Sequence, residues 1–162
     1  MAEVCGERGY AESSVAEIAK RAGVSTASFY RQFEDKRACI LASFEELFGR
    51  LLEALEGMCG EEADPGERAR MGARTAAALL AADPPTASLL CVEIVAVGAG
   101  GVRAQHKAIE RLASLLREGD AVSTGPDAAW TVVAASVALA ASCVAEGSHP
   151  DPAALEAIAE VL

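Results

Sequence analysis

The stretch from Ser14 to Lys36 constrains the fold most, because its residue types predict two short helices joined by a tight turn. Ser14, followed three residues later by Glu17, forms a capping box, in which the two side chains satisfy amides that the first helical turn leaves free. Gly23 suits the left-handed position that ends such a helix. Ser25 can cap a second helix. The pattern therefore predicts a helix-turn-helix.

The first of these helices has an apolar face at helical spacing, formed by Val15, Ile18, Ala19 and Ala22. Its wet face carries Glu17, Lys20 and Arg21. Val24, just after the turn, is expected to pack back into the small core.

The second helix is expected to run to about Phe33, with Phe29 and Phe33 on one face because they are four residues apart. Its opposite face holds hydrogen-bonding side chains: Thr26, Ser28, Tyr30, Arg31 and Gln32. Such side chains reach phosphates and base edges when a second helix enters the major groove of DNA.

These residues resemble the tetracycline-repressor (TetR) family of bacterial transcription regulators. The resemblance rests on ERGY at Glu7–Tyr10, on SVAEIAKRAGVS at Ser14–Ser25, on FYRQF at Phe29–Phe33 and on Lys36 at the head of the next helix. It covers the first third of the chain. The rest agrees with the family in length and helical pattern.

The resemblance implies a role for each matching position. Thr26, Ala27, Ser28 and Gln32 are expected to face the major groove, with Arg31 at its edge. Tyr30 and Lys36 match positions that grip backbone phosphate, and Ser25 would bring its helix N-terminus to another phosphate.

The printed sequence departs from the family pattern at its start. Met1 stands only a few residues before ERGY, so we expect a short first helix without the family's usual basic arm. Either the start of the printed sequence is truncated, or the protein holds DNA with fewer backbone contacts than its relatives.

The charge of the chain is unevenly distributed. The formal net charge is −10, yet residues 20–37 hold five basic against two acidic side chains. Residues 49–162 hold eight basic and sixteen acidic ones. An acidic body repels DNA everywhere except at the predicted reading head, which limits non-specific binding.

Beyond Asp35 the pattern predicts further helices and no strand, so the expected fold class is all-α. A long helix capped by Asp35 carries an apolar stripe of Ile40, Phe44, Leu47, Leu51, Leu55 and Met58. A loop is expected at residues 60–66, followed by helices to about Ala82, from Pro84 through Leu89–Val97, over about 101–118, over 126–146 and over 152–162. We predict a DNA-binding head at residues 1–35 and a helical ligand-binding and dimerisation domain at 36–162.

The segment Ala128–Ala145 has no charged residue and is long enough to span a membrane. Its alanine-rich content, the acidic flanks Asp127 and Glu146 and the lack of basic flanking residues oppose that interpretation. The resemblance implies instead that the helices at about 126–146 and 152–162 pair with their copies in a homodimer. Two recognition helices held about 34–36 Å apart would then read a palindromic operator.

The resemblance also implies a ligand pocket in the helical body. Aliphatic side chains dominate this part of the sequence, which favours a lipophilic effector over a stacked planar cation. Met71, Glu93 and Trp130 are candidate ligand contacts, although each also fits an ordinary structural position: core for Met71 and Trp130, an exposed or paired charge for Glu93.

No residue pattern indicates catalysis, a cofactor or a metal site. His106 and His149 have no partners at ligand spacing beyond Glu110, one turn from His106. The five cysteines, Cys5, Cys39, Cys59, Cys91 and Cys143, form no CxxC pair. Without a signal peptide, a cytoplasmic protein with reduced thiols is expected, and thiol-based redox sensing stays an alternative.

The leading hypothesis is a homodimeric repressor that binds double-stranded operator DNA and is released by a small lipophilic effector. The alternative is a small-molecule or protein binding module of the same fold that has lost specific DNA binding. The acidic surface and the short N-terminus motivate that alternative.

Overall fold

The computed structural model describes residues 1–58, 65–117 and 126–159, and within these ranges it contains helices and no strand. The all-α fold class is confirmed. The helices are α1 (Ala2–Glu12), α2 (Val15–Arg21), α3 (Thr26–Gln32), α4 (Lys36–Met58), α5 (Pro65–Ala82), α6 (Pro84–Ser88), α7 (Ile94–Ala96), α8 (Ala99–Arg117), α9 (Pro126–Ala145) and α10 (Pro152–Ala159). A single π-helical turn, Leu89–Glu93, joins α6 to α7.

Helices α1–α3 form the head, and the predicted capping signals are confirmed. The Ser14 hydroxyl accepts from the Glu17 amide while the Glu17 carboxylate accepts from the Ser14 amide at 3.0 Å. Gly23 has φ 68°, and the Val24 amide donates to the Ala19 carbonyl at 2.9 Å. These main-chain bonds close the turn between α2 and α3 as a Schellman motif.

The prediction of the buried face was partly wrong. Ala22 is exposed, and the Val24 side chain is 46% exposed instead of packing into the core. Since main-chain hydrogen bonds already fix the turn, the Val24 side chain is not needed to hold it.

The core of the head is small. It consists of Val4, Ile18, Ala19, Phe29 and Cys39, with Phe33 packed against it. The rings of Phe29 and Phe33 have centroids 5.4 Å apart, as their spacing predicts.

Helix α4 leaves the head and runs through the body. Asp35 caps it by accepting from the Ala38 amide at 2.7 Å. The apolar stripe is wider than predicted, because Phe48 and Leu52 are as buried as Ile40 and Phe44. The side chain of Met58 lies outside the described residues.

The body is built from α4 to α10. Asp83 starts α6 as predicted by accepting from the Thr86 amide at 3.2 Å. The expected helix at Leu89–Val97 is interrupted by the π-helical turn. Helix α8 packs closely beside α7, since a Cβ at Gly101 would lie 1.7 Å from the Ile94 carbonyl oxygen. Only glycine allows that approach.

Helix α9 follows α8, and α10 packs chiefly on α5. A bidentate ion pair joins α5 to α10: the Arg74 guanidinium contacts the Glu156 carboxylate at 2.6 and 2.9 Å. The predicted loop at 60–66 is shorter than expected, because α5 already begins at Pro65. Residues 60–64 of that loop, Gly125 and the chain end at 160–162 lie outside the described residues.

Helix α1 belongs to both parts of the molecule. Val4 is buried in the core of the head, whereas the adjacent Cys5 is buried in the core of the body. The body-facing side of α1 packs against α6 and the π-helical turn. The head is therefore attached to the body through α1 as well as α4.

Candidate DNA-reading head and ligand cavity

Helix α3 presents an exposed polar surface. Thr26, Ala27, Arg31 and Gln32 are exposed, and the Tyr30 side chain is 59% exposed despite its large apolar ring. Phe29, on the opposite side, is buried. Because the core side and the outer side are cleanly separated, the outer side chains are available to a duplex.

A short chain of hydrogen bonds organises the start of this helix. The Ser25 hydroxyl accepts from the Ser28 amide at 3.0 Å, and the two hydroxyls lie 3.0 Å apart. Arg31 donates to the Ser28 hydroxyl at 2.8 Å. The guanidinium is thereby held along the surface of α3.

Two cations of the head are already engaged inside the protein. Arg21 pairs with Glu7 at 2.7 Å and with Glu3 at 3.1 Å. Lys36 donates to the carbonyls of Tyr10, Ala11 and Ser13 at 2.7, 3.3 and 2.8 Å. The family resemblance implies a phosphate contact for Lys36, whereas here its ammonium ties α4 to the end of α1.

The Glu93 carboxylate of the body contacts the main chain of the head at Gly9 and Tyr10, and we call this contact the latch. It faces Lys36 across the same turn. Gly9 breaks α1 with φ 77°, and the Glu93 carboxylate of the π-helical turn accepts a hydrogen bond from the next amide, that of Tyr10. A Cβ at Gly9 would lie 3.7 Å from the Glu93 Oε2. The Tyr10 ring lies under the Lys36 ammonium, 4.3 Å from ring centroid to nitrogen. A carboxylate of the body thus holds the main chain of the head.

The body contains a partly open cavity of about 490 Å³, within the usual size range of ligand sites. Helices α4, α5, α8, α9 and α10 and the π-helical turn form its wall. The wall is mostly aliphatic, as predicted, but Phe44 and Phe48 also line it with stacked rings 6.0 Å apart. Its polar side chains are Glu56, Arg68, Gln105 and Ser136.

None of the three predicted ligand contacts lines this cavity. Glu93 lies in the latch, on the side of the π-helical turn that meets α1. Trp130 is 37% exposed beside His106, and Met71 is half-buried outside the cavity wall. The lining residues Phe44, Phe48 and Arg68 were missed, because sequence spacing does not reveal which side of a packed helix meets an empty space.

Three buried thiols of the described residues are protected from ionisation. Cys5, Cys39 and Cys91 are free and buried, and burial raises the pKa of each. For Cys91, which lines the cavity, the pKa rises to about 11. Since the thiolate is the reactive form, these positions disfavour redox sensing. Cys59 lies outside the described residues.

The predicted solvated face around His106 is present. His106 lies 3.3 Å from Glu110, and both side chains are more than half exposed. No group of three or more possible metal ligands was found among the described residues.

A helix-turn-helix head joined to a hollow helical body defines a class of DNA-binding, ligand-responsive regulators. Residues 2–43 match the family described as bacterial regulatory proteins, tetR family. The head of the chain is thus similar to that of TetR-family regulators, and the fold of the whole chain is similar to that of solved bacterial regulators.

Particular relatives include regulators of fatty acid metabolism. The chain is 33% identical over 92 residues to the fatty acid metabolism regulator protein of Bacillus subtilis (strain 168), an alignment that covers 57% of this chain and 47% of that protein. The chain thus matches about half of that relative's length.

Solved structures share the fold over almost the whole chain. The fatty acid degradation regulator FadR from Bacillus halodurans has a TM-score of 0.82 at 22% identity, covering 99% of this chain and 88% of that one. FadR from Bacillus subtilis, solved in complex with stearoyl-CoA, has a TM-score of 0.74 at 21% identity, covering 99% and 92%.

Proposed function

We propose that the protein is a cytoplasmic transcription repressor that binds a palindromic operator as a homodimer and is released by a lipophilic ligand. The observation that carries this proposal is the union, in one chain, of a head similar to that of TetR regulators, with an exposed polar α3, and a body with a largely apolar cavity. Its relatives are regulators, and no enzymatic activity is proposed.

On DNA, we expect Thr26, Ala27, Ser28 and Gln32 to face the major groove and Tyr30 and Arg31 to lie along its edge. Ser25 would act through its capping of α3. The engaged ammonium makes Lys36 a support of this surface instead of a contact.

A gel shift with the DNA upstream of the chain's own gene tests operator binding. Tyr30→Ala should weaken binding to all sequences by losing a phosphate contact, whereas Gln32→Ala or Thr26→Ala should change base preference. Equal effects of the three variants on every sequence would refute this division of roles.

The ligand is proposed to occupy the cavity and to carry an acyl or similar apolar chain. The aliphatic wall supports this, as do relatives that regulate fatty acid metabolism. The stacked rings of Phe44 and Phe48 form only part of the wall. The rest is mostly aliphatic and suits an extended hydrocarbon chain.

The latch connects cavity and head. Leu90 and Cys91 line the cavity on the same π-helical turn that carries Glu93, so a ligand that displaces this turn would pull on the Tyr10 amide. Binding at the two sites is then coupled because the ligand and the DNA favour different positions of one element.

The coupling can be measured with Glu93→Ala and its matched control Glu93→Gln, which keeps a carbonyl acceptor for Tyr10. With dodecanoyl-CoA as the probe, Glu93→Ala should keep ligand binding but lose most of the ligand-induced release of DNA, and Glu93→Gln should retain more of it. Release unchanged in Glu93→Ala would exclude the latch as the connection.

The homodimer is proposed to form through α9 with α10. The window Ala128–Ala145 has mean hydropathy 1.9, yet only 22% of it is buried within one chain. Small side chains are exposed along one side of this helix: Ala135, Ala138, Ser142 and Ala145. A second copy is the proposed cover for this side.

Sedimentation velocity tests the dimer. Ala138→Arg should convert dimer to monomer, whereas Ala157→Arg in α10 should have a smaller effect if α9 forms the centre of the interface. A wild-type monomer that partitions into lipid vesicles would instead support the membrane alternative.

The alternative function, a binding module without operator recognition, makes a different prediction. It predicts that a gel shift at low salt gives no specific band with DNA, although the protein is a dimer and still binds the acyl probe. Arg21 and Lys36 are engaged within the protein, and this favours the alternative. Their engagement reduces the positive charge that the head offers to DNA.

A further inference from the structure

The cavity contains one buried charged side chain. Arg68 lines the wall and is 6% exposed, and no other charged residue among those described is buried. A cation is costly to remove from water, so a buried one requires anionic or hydrogen-bonding company. A guanidinium has five N–H donors, so it can hold a partner within the protein and still receive an anion.

The other cations on α5 face elsewhere and are paired. Arg70 contacts Glu67 at 2.8 Å, and Arg74 contacts Glu156 on α10. Arg68 is therefore the cation of α5 that is directed to the cavity wall.

The residues that line the cavity are spread along α4 and α5, and Arg68 is the first of those on α5. Helices α4 and α5 are adjacent in sequence and pack together, so they run in opposite directions. Along α4 the lining extends from Phe44 to Glu56, a rise of about 18 Å. Arg68 belongs to the Leu55 end, because it lies at the start of α5, whereas Leu80 and Leu90 belong to the Phe44 end.

From this geometry we infer that the cavity takes an elongated acidic amphiphile, with its anionic head group against Arg68 and its apolar chain extending toward Phe44. A long-chain carboxylic acid is the simplest such molecule. The guanidinium fork matches a carboxylate with two parallel hydrogen bonds. This inference deepens the proposed function, since it rests on the cavity being the ligand site.

The position of Arg68 also predicts a length rule. Its end of the cavity is far from the π-helical turn, where Leu90 and Cys91 meet the opposite end. A short acid anchored at Arg68 fills only its own end of the cavity. It binds without disturbing the latch, whereas a long acid reaches the π-helical turn and releases DNA.

At the Arg68 end of the cavity, the carboxylate of Glu56 opposes the binding of an anion. It is exposed and lines the same cavity, so it repels an acid that approaches Arg68. Glu56→Gln is accordingly expected to tighten the binding of an acid and to leave the binding of a neutral chain unchanged.

The experiment compares dodecanoate with dodecanol, two probes of equal chain length, by calorimetry below their aggregation concentrations. The wild-type protein should bind the acid at least about tenfold more tightly than the alcohol, because a hydrogen bond to a charged group is worth more than a neutral one. Arg68→Gln should remove that preference and leave the affinity for dodecanol unchanged.

Arg70→Gln is the matched control, since it removes the same charge two residues away and outside the cavity wall. If Arg68→Gln does not fold, Arg68→Lys retains the charge without the fork and should lose part of the preference. Equal wild-type affinities for acid and alcohol overturn the inference, as does an equal loss in Arg70→Gln.

The failure of this inference is distinguishable from that of the proposed function. If neither probe binds the wild-type protein, the cavity is not an acyl-chain site and the proposed function loses its ligand. If the alcohol binds as well as the acid, the ligand site stands and only the acidic head group is wrong.

Discussion

Head and body are packed in different ways. The core of the head is a closed cluster of five buried side chains, whereas the body contains longer helices around a cavity of about 490 Å³. A closed core fixes the shape of α3, as a surface that reads DNA requires. A hollow body leaves room for a second molecule, and side chains beside a void lose the contacts that would otherwise hold them in one arrangement. Rigidity and responsiveness are therefore located in separate parts of the chain.

The largest expected effect comes from truncating one buried phenylalanine in the head and one in the body to alanine. Phe29→Ala should lower the free energy of unfolding by about 3–5 kcal/mol and abolish DNA binding, since it removes the centre of a small core. Phe48→Ala should cost less, because its ring already borders an empty space. Urea unfolding of both variants measures the difference, and an equal cost would show that the body is packed as tightly as the head.

The next effect concerns the alkaline stability of the body. The pKa of Cys91 rises from 9.0 to about 11 on burial, so its neutral thiol stabilises the fold fully below pH 9, and this contribution is lost as the pH rises toward 11. The loss amounts to about 2–3 kcal/mol. Cys91→Ala should flatten the alkaline limb of stability measured by chemical unfolding between pH 8 and 11.

Cys39 in the head provides the comparison for this prediction. Its pKa is also raised by burial, and its removal by Cys39→Ala should change the alkaline limb less than that of Cys91. A wild-type protein that loses no stability between pH 9 and 11 would contradict the predicted protection of both thiols.

Lys36 should affect stability more than DNA affinity. Lys36→Met removes its hydrogen bonds to three carbonyls and should lower the free energy of unfolding by about 2 kcal/mol. The slope of DNA affinity against salt concentration should stay unchanged, because no phosphate contact is lost. Lys20→Met, on the exposed side of α2, is the control, and a reduced slope for Lys36→Met would restore the role implied by the family resemblance.

The smallest effect is expected for the ion pair between α5 and α10. Arg74 is 57% exposed, so Arg74→Ala should lower the stability only slightly despite the bidentate geometry. Thermal unfolding at low and at 1 M salt tests this, since the cost should disappear when salt screens the pair. A cost that persists at high salt would show that the pair is shielded by the fold.

The head could be predicted almost completely from sequence. Ser14, Glu17, Gly23 and Ser25 act through bonds to main-chain atoms a few residues away, so their pattern is readable without tertiary structure. Ala22 and Val24 were exceptions, because the exposure of a side chain beside a turn depends on what packs above it.

The body could be predicted as helices but not as a site. Arg68 looks like an ordinary charged residue in sequence, and only the packing of α4 against α5 turns it toward the cavity. Glu93 was predicted as a ligand contact or as an exposed or paired charge, whereas its carboxylate accepts from the Tyr10 amide on α1, far away in sequence. Contacts of this kind depend on the tertiary arrangement, which helical periodicity does not encode.

The position of α1 between two cores has a consequence for biosynthesis. This helix is synthesised well before α6 and the π-helical turn at residues 84–93, on which one of its sides packs. Translation must pass that point before α1 can be covered. Helix α1 is therefore synthesised early, but its packing is completed late. A nascent chain that stalls before residue 93 would expose an apolar strip that chaperones bind.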